Sequence, residues 1–139
     1  MKSLLLCLAV LATSLSFAQT DIKFKEQTHK FGKIKKGVPA SYTFTYTNTS
    51  AKPVVIEFAQ ADCGCTEPVY NKAPLPKGQS ATIKVTYNAA MSGIFKKSVN
   101  VKFAHSTQPY ILTVEGEVLM DKETQAKLDA ANKKAKPKA

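Results

Sequence analysis

Three features of the sequence predict an all-β fold, an antiparallel β-sandwich of about seven strands. From Ile22 onward apolar residues alternate with polar ones, as strands with one buried face require. Clusters of Asn, Pro, Gly and Lys interrupt that alternation about every dozen residues. No stretch within Ile22–Val118 repeats its apolar residues with the period of an amphipathic helix. The chain has 139 residues, 44% hydrophobic and 22% charged, which suits one ordinary domain. That size excludes a large multidomain enzyme, and three cysteines are too few for a disulfide-dense miniprotein.

The elements follow in chain order. Met1-Lys2-Ser3 is a short basic start, and Leu4–Leu15 is an apolar run broken only by Thr13 and Ser14. Ser16-Phe17-Ala18 then supplies the small residues of a signal-peptidase site, which predicts a signal peptide over 1–18 cleaved between Ala18 and Gln19. The run is too short to span a bilayer, and Leu5 and Leu6 stand before Cys7 where a lipidation signal needs small residues. A periplasmic or secreted protein is expected, with Cys63 and Cys65 as its only cysteines after cleavage.

The sandwich is expected over 19–118. Its first strand opens at Ile22 and carries His29, with a connection at Lys33–Gly37. Tyr42, Phe44 and Tyr46 alternate with threonines in the next strand, which turns at Asn48–Pro53. Val54, Ile56 and Phe58 begin a third, and Val69 and Tyr70 end a short fourth that closes at Asn71–Gly78. Ala81, Ile83, Val85 and Tyr87 line one face of the fifth, and Val99, Val101 and Phe103 line the sixth after Met91-Ser92-Gly93. Tyr110, Leu112, Val114 and Val118 line the last, where Gly116 leaves a gap that reads as a bulge. An immunoglobulin-like arrangement is the economical choice, although the usual Trp and inter-sheet cysteine pair are missing. For the tail, 119–139, two readings stand: a short helix over Lys122–Asn132 capped by Asp121, or a frayed, disordered lysine-rich segment, which its few apolar positions favour.

Cys63-Gly64-Cys65 is the one chemical motif. On an extended strand the two Cα atoms lie about 6.6 Å apart on one face, at the outer edge of the disulfide range. Gly64 can take a positive φ and fold the backbone into a turn, which brings the sulfurs closer and allows either a local disulfide or two thiolates converging on one ion. A disulfide closing so small a ring contributes only about 1.5 kcal/mol, against about 3 for a fifteen-residue loop. Redox exchange therefore explains such a bond better than stapling. Two thiolates also suit Cu(I) or Zn(II). Connections in an antiparallel sandwich alternate between its ends, which puts Met91 at the cysteine end as a thioether ligand and His105 at the other. The third reading is inert packing of two small residues, with Met91 as ordinary filler. All three stay open.

The formal charge is +10, carried entirely by lysine. The absence of Arg and the signal peptide weigh against nucleic acid. Lys33, Lys35, Lys36, Lys96 and Lys97 are candidates for an anionic lipopolysaccharide or polysaccharide. Glu57, Asp62 and Glu67 flank the cysteine motif, as extra ligands or as solvated loop charges. No hydrolase or phosphate-loop pattern is present, so no catalytic residue is assigned.

Several segments in order resemble one bacterial family: His29–Gly37 with its F-G-x-I pattern, Tyr42–Thr49, Asp62-Cys63-Gly64-Cys65-Thr66, Pro76–Asn88, Ser92–Phe95 and Thr113–Val118. The chain is thereby similar to the exported domain of unknown function (DUF) 1573, common in Bacteroidetes. The resemblance implies an immunoglobulin-like sandwich of the Hydin and PapD-like type, and the family name assigns no activity. Lys stands here at positions often acidic in that family. The leading expectation is an exported non-enzymatic module that binds an envelope protein or surface component, with β-augmentation at a sheet edge as one mode. The alternative is a periplasmic thiol-redox or copper/zinc-binding protein acting through Cys63 and Cys65.

Overall fold

The computed structural model describes residues 21–135. The expected signal peptide over 1–18 and the last basic residues, 136–139, lie outside the described residues. Eight strands and one helix follow in order: β1 (Ile22–Phe24), β2 (Thr28–Lys35), β3 (Ala40–Asn48), β4 (Ile56–Ala61), β5 (Thr66–Tyr70), β6 (Ser80–Tyr87), β7 (Gly93–Phe103), β8 (Tyr110–Leu119) and α1 (Lys122–Ala135). They form two four-stranded sheets, ordered β1-β3-β6-β5 and β2-β8-β7-β4. The fold is an immunoglobulin-like β-sandwich, as the alternation predicts.

Two expectations need correction. The first expected strand is two strands, because the chain changes sheets at Lys25-Glu26-Gln27. Before that point β1 pairs antiparallel with β3; after it β2 pairs with β8. The chain keeps its heading as it crosses, so β2 runs parallel to β8 and the sandwich is not wholly antiparallel. The irregularity near Gly116 also lies on the other strand. Register shifts between Lys30 and Gly32 of β2, which makes Phe31 the extra residue. Gly116 serves close approach instead: a Cβ there would stand 2.7 Å from the Gly32 carbonyl oxygen and 3.0 Å from the Phe95 ring.

The main core lies between the sheets. Phe44, Ile83 and Val85 from one meet Val99, Val101, Phe103, Leu112 and Val114 from the other, all essentially without solvent contact. A smaller cluster at one end joins Tyr87, Ala89, Phe95 and Val118, with Phe31, Ile34 and Cys65 packed against it. The opposite end is closed by polar groups. Fully buried Asn48 donates from Nδ2 to the carbonyls of Lys52 (2.8 Å) and Leu75 (2.9 Å), and its Oδ1 accepts from the Ser50 amide and hydroxyl. Burial raises the Tyr46 hydroxyl above its ordinary pKa, and does the same for Tyr110 against an opposing hydrogen bond from the backbone of Ile22.

The tail forms the helix of the two readings, three residues longer than the Lys122–Asn132 span. Asp121 caps it, accepting from the Thr124 amide (2.7 Å) and hydroxyl (2.9 Å), and these bonds hold its carboxyl below the ordinary range, the amide first. Side chains from Asp121 to Lys133 are all exposed, so α1 packs no apolar face onto the sheets. Among the described residues no helix is long and apolar enough to cross a membrane.

Candidate functional site at the disulfide end

Three connections meet at the end of the sandwich that carries the small core cluster. The Gly37 amide donates to the Ala89 carbonyl (2.9 Å), joining the β2–β3 turn to the β6–β7 loop. The Asn88 amide donates to the Cys65 carbonyl (2.9 Å), joining that loop to the cysteine turn. The other flank of the turn is tied by the Asp62 amide to the Ser98 carbonyl (3.0 Å). Residues 62–65 are therefore anchored to β7 on one side and to the end of β6 on the other.

Within this frame Cys63 and Cys65 are joined by a disulfide, with Cα atoms 5.2 Å apart. That separation lies inside the ordinary disulfide range and is shorter than the extended-strand spacing. The turn is closed by the Thr66 amide donating to the Cys63 carbonyl (3.3 Å). Gly64 closes the turn without using the left-handed region open to glycine, and a Cβ there meets nothing within 4 Å. The sequence left Thr66 without a role. It is buried, and its Oγ1 lies 3.7 Å from Cys63 Sγ and 3.8 Å from Cys65 Sγ.

Cys65 lines a cleft of about 500 Å³ with Tyr87, Asn88, Met91, Ile94, Phe95, Lys96 and Lys97 among its walls. Tyr87 and Phe95 stack at its base, with centroids 4.1 Å apart. A second groove of about 480 Å³ shares Ile94, Phe95 and Lys96, and continues over Gly32 and Gly116. Ile94 stands on the ridge between them, 90% exposed, and Met91 is 78% exposed. Ile94 was missed as a site residue. Its signal was parity: Phe95, Val99, Val101 and Phe103 point inward, so an apolar residue at 94 points out.

The other predicted residues separate. Met91 shares the cleft with Cys65, but neither sulfur of a closed disulfide is a thiolate ligand, so a metal here requires prior reduction. Among the described residues no three His, Cys, Asp or Glu side chains gather as a metal site. Glu57 pairs with Lys102 (3.2 Å), Asp62 accepts from Asn100 (3.3 Å), and Glu67 is exposed. His29 stacks on Tyr42 at 3.5 Å. His105 lines a depression with Asp21 at the opposite end. The lysines do not form an unbroken basic patch: Glu115 sits between Lys30 (3.4 Å) and Lys96 (4.0 Å), and Lys36 reaches Asp121 (4.0 Å).

The cysteine turn, the Gly32 and Gly116 crossing and the β6–β7 loop all fall within residues 22–118, which match the family described as Protein of unknown function (DUF1573). The chain belongs to this family. No curated protein matches this DUF1573 chain in sequence. Solved structures share its fold at low identity. The ASH/PapD-like domain of human CEP192 has a TM-score of 0.63 at 9% identity, covering 74% of this chain and 88% of that one. A chain of the CsuC–CsuE chaperone–tip adhesion subunit pre-assembly complex of Acinetobacter baumannii has a TM-score of 0.53 at 15% identity, covering 85% and 69%. The Vibrio cholerae VesB protease has a TM-score of 0.55 at 15% identity; 70% of the DUF1573 chain matches, spanning only 32% of that protein. These likenesses establish the fold class.

Proposed function

We propose that the protein is an exported, non-enzymatic immunoglobulin-like module that binds another envelope protein through its disulfide end. The observation that carries this reading is the exposure of Ile94 and Met91, 90% and 78%, beside two grooves with an aromatic floor. Large apolar side chains grouped round a concave surface mark contact sites more often than scattered surface residues do. Lys30, Lys33, Lys96 and Lys97 rim the grooves together with Glu115 and Glu117, which suits a partner segment that is apolar at its centre and polar, of mixed charge, at its edge.

Edge pairing fits less well. The sheet edges are β1, β5, β2 and β4. β1 has three residues, β5 contains Pro68, and β2 and β4 each carry a register shift. Such edges are poor templates for an added strand. The chaperone-complex neighbour supports protein binding as a use of this fold class, and the leader-like pattern over 1–18 supports export.

The test is site-specific photo-crosslinking in the native host, with the probe at Ile94 and, as control, at Ser106 on the opposite end. A discrete heavier adduct is expected from 94 but not from 106, and Met91→Glu should abolish it. Equal labelling at both positions, or none at 94, would contradict the proposed face.

A further inference from the structure

We infer that Cys63–Cys65 is an exchangeable disulfide whose Cys65 sulfur is the one attacked, and that the partner is a protein carrying a pair of thiols. The partner class rests on the contact-face reading above; the choice of sulfur does not.

Five observations converge on exchange. The bond joins residues only 2 apart in sequence, so it removes little loop entropy from the unfolded chain and is weak as a staple. Both flanks of its turn are tied independently, through Asp62 to Ser98 and through Asn88 to Cys65, so opening the bond leaves the frame in place. Both cysteines are half-buried, but Cys65 lines the cleft and Cys63 does not, which places Cys65 beside a segment docked there. The buried Thr66 hydroxyl lies within reach of both sulfurs and is the group that can donate to a thiolate released there. Lys96 and Lys97 on the cleft wall favour approach of an anionic nucleophile.

The step balances as an ordinary thiol–disulfide exchange. A partner thiolate attacks Cys65 Sγ, forming a mixed disulfide, while the bond to Cys63 breaks and its electron pair leaves on Cys63 Sγ. The Thr66 hydroxyl donates to that thiolate. The partner's second thiolate then attacks its own sulfur in the mixed disulfide and displaces Cys65. Two electrons pass from the partner dithiol to Cys63–Cys65, and the two protons of the partner's thiols end on the released cysteines. The partner is left with a disulfide. Thr66 acts in the step itself, because its hydroxyl touches the sulfurs that react and donates to the one that leaves.

Glutathione serves as the probe. The oxidised full-length protein is mixed with excess glutathione and quenched in acid, and fragmentation of the peptide reads which cysteine carries the adduct. Adduct on Cys65 should exceed that on Cys63 by about tenfold or more. Thr66→Val should slow its formation about tenfold, with Thr66→Ser restoring the rate, because only the hydroxyl donates to the leaving sulfur. Adduct split evenly between the sulfurs, or a Thr66→Val rate equal to that of the native protein, would overturn the inference. A Cys65-selective adduct with no crosslink at Ile94 upholds the choice of sulfur and removes the partner class. A crosslink at Ile94 with no selective adduct retains the contact face and removes the exchange.

Discussion

The two ends of this sandwich are finished with different chemistry. At the end holding Asn48, backbone groups of the turns are satisfied by side chains: Asn48 bonds to Lys52, Leu75 and Ser50, and Ser106 to Phe103 and Gln108. Val54 and Leu75 bridge across that end with reciprocal backbone bonds of 3.0 and 2.8 Å. At the other end the turns are tied mainly backbone to backbone, while Val38, Met91 and Ile94 are left in solvent. The difference separates two tasks. A polar network buried at one end fixes the fold, and that leaves the far end free to carry apolar side chains and a disulfide whose ring is too small to contribute much stability.

This contrast can be broken most severely at Asn48. Asn48→Ala removes the bonds of a fully buried side chain to the Lys52 and Leu75 carbonyls and to Ser50 and leaves a small cavity, and should cost about 3 kcal/mol, read as a lower denaturant midpoint with unchanged slope. Gly116→Ala is next. Its methyl would press on the Gly32 carbonyl and the Phe95 ring, and a loss of about 2 kcal/mol is expected in the same measurement. Reducing the disulfide should cost least, about 1.5 kcal/mol or less, because the closed ring is so small. An inverted order, with reduction costing more than Asn48→Ala, would make the disulfide end the stabilising one.

Much of the fold was legible because a sandwich repeats one signal. Tyr42-Phe44-Tyr46 and Val99-Val101-Phe103 show their buried faces in bare alternation, and these residues do line the core or pack against it. The sheet change between Phe24 and Thr28 was hidden in a run of polar residues that looks like the surface of one strand. Its trace is a parity shift: Ile22 and Phe24 turn inward at even numbers, and His29 and Phe31 at odd ones. Asn48 looked like any turn residue, because its burial depends on Leu75, which is distant in sequence.

The site was legible as composition and only partly as geometry. Alternation of the connections put Met91 on the side of Cys63 and Cys65, and Met91 shares the cleft with Cys65. The position of Thr66 under both sulfurs follows from a turn closed without positive φ at Gly64, which spacing alone does not reveal. The second groove arises where Gly32 and Gly116 let β2 and β8 approach beside the Phe95 ring. Neither glycine announces that contact in the sequence.

The most direct test of the division between the ends is an amide chemical-shift map of the protein before and after reduction of Cys63–Cys65. Large shifts should be confined to Cys63–Thr66 and Tyr87–Lys97, while the amides of Asn48, Val54 and Leu75 keep their positions. Shifts of similar size at both ends, or loss of the folded spectrum on reduction, would contradict it and make the disulfide a structural staple.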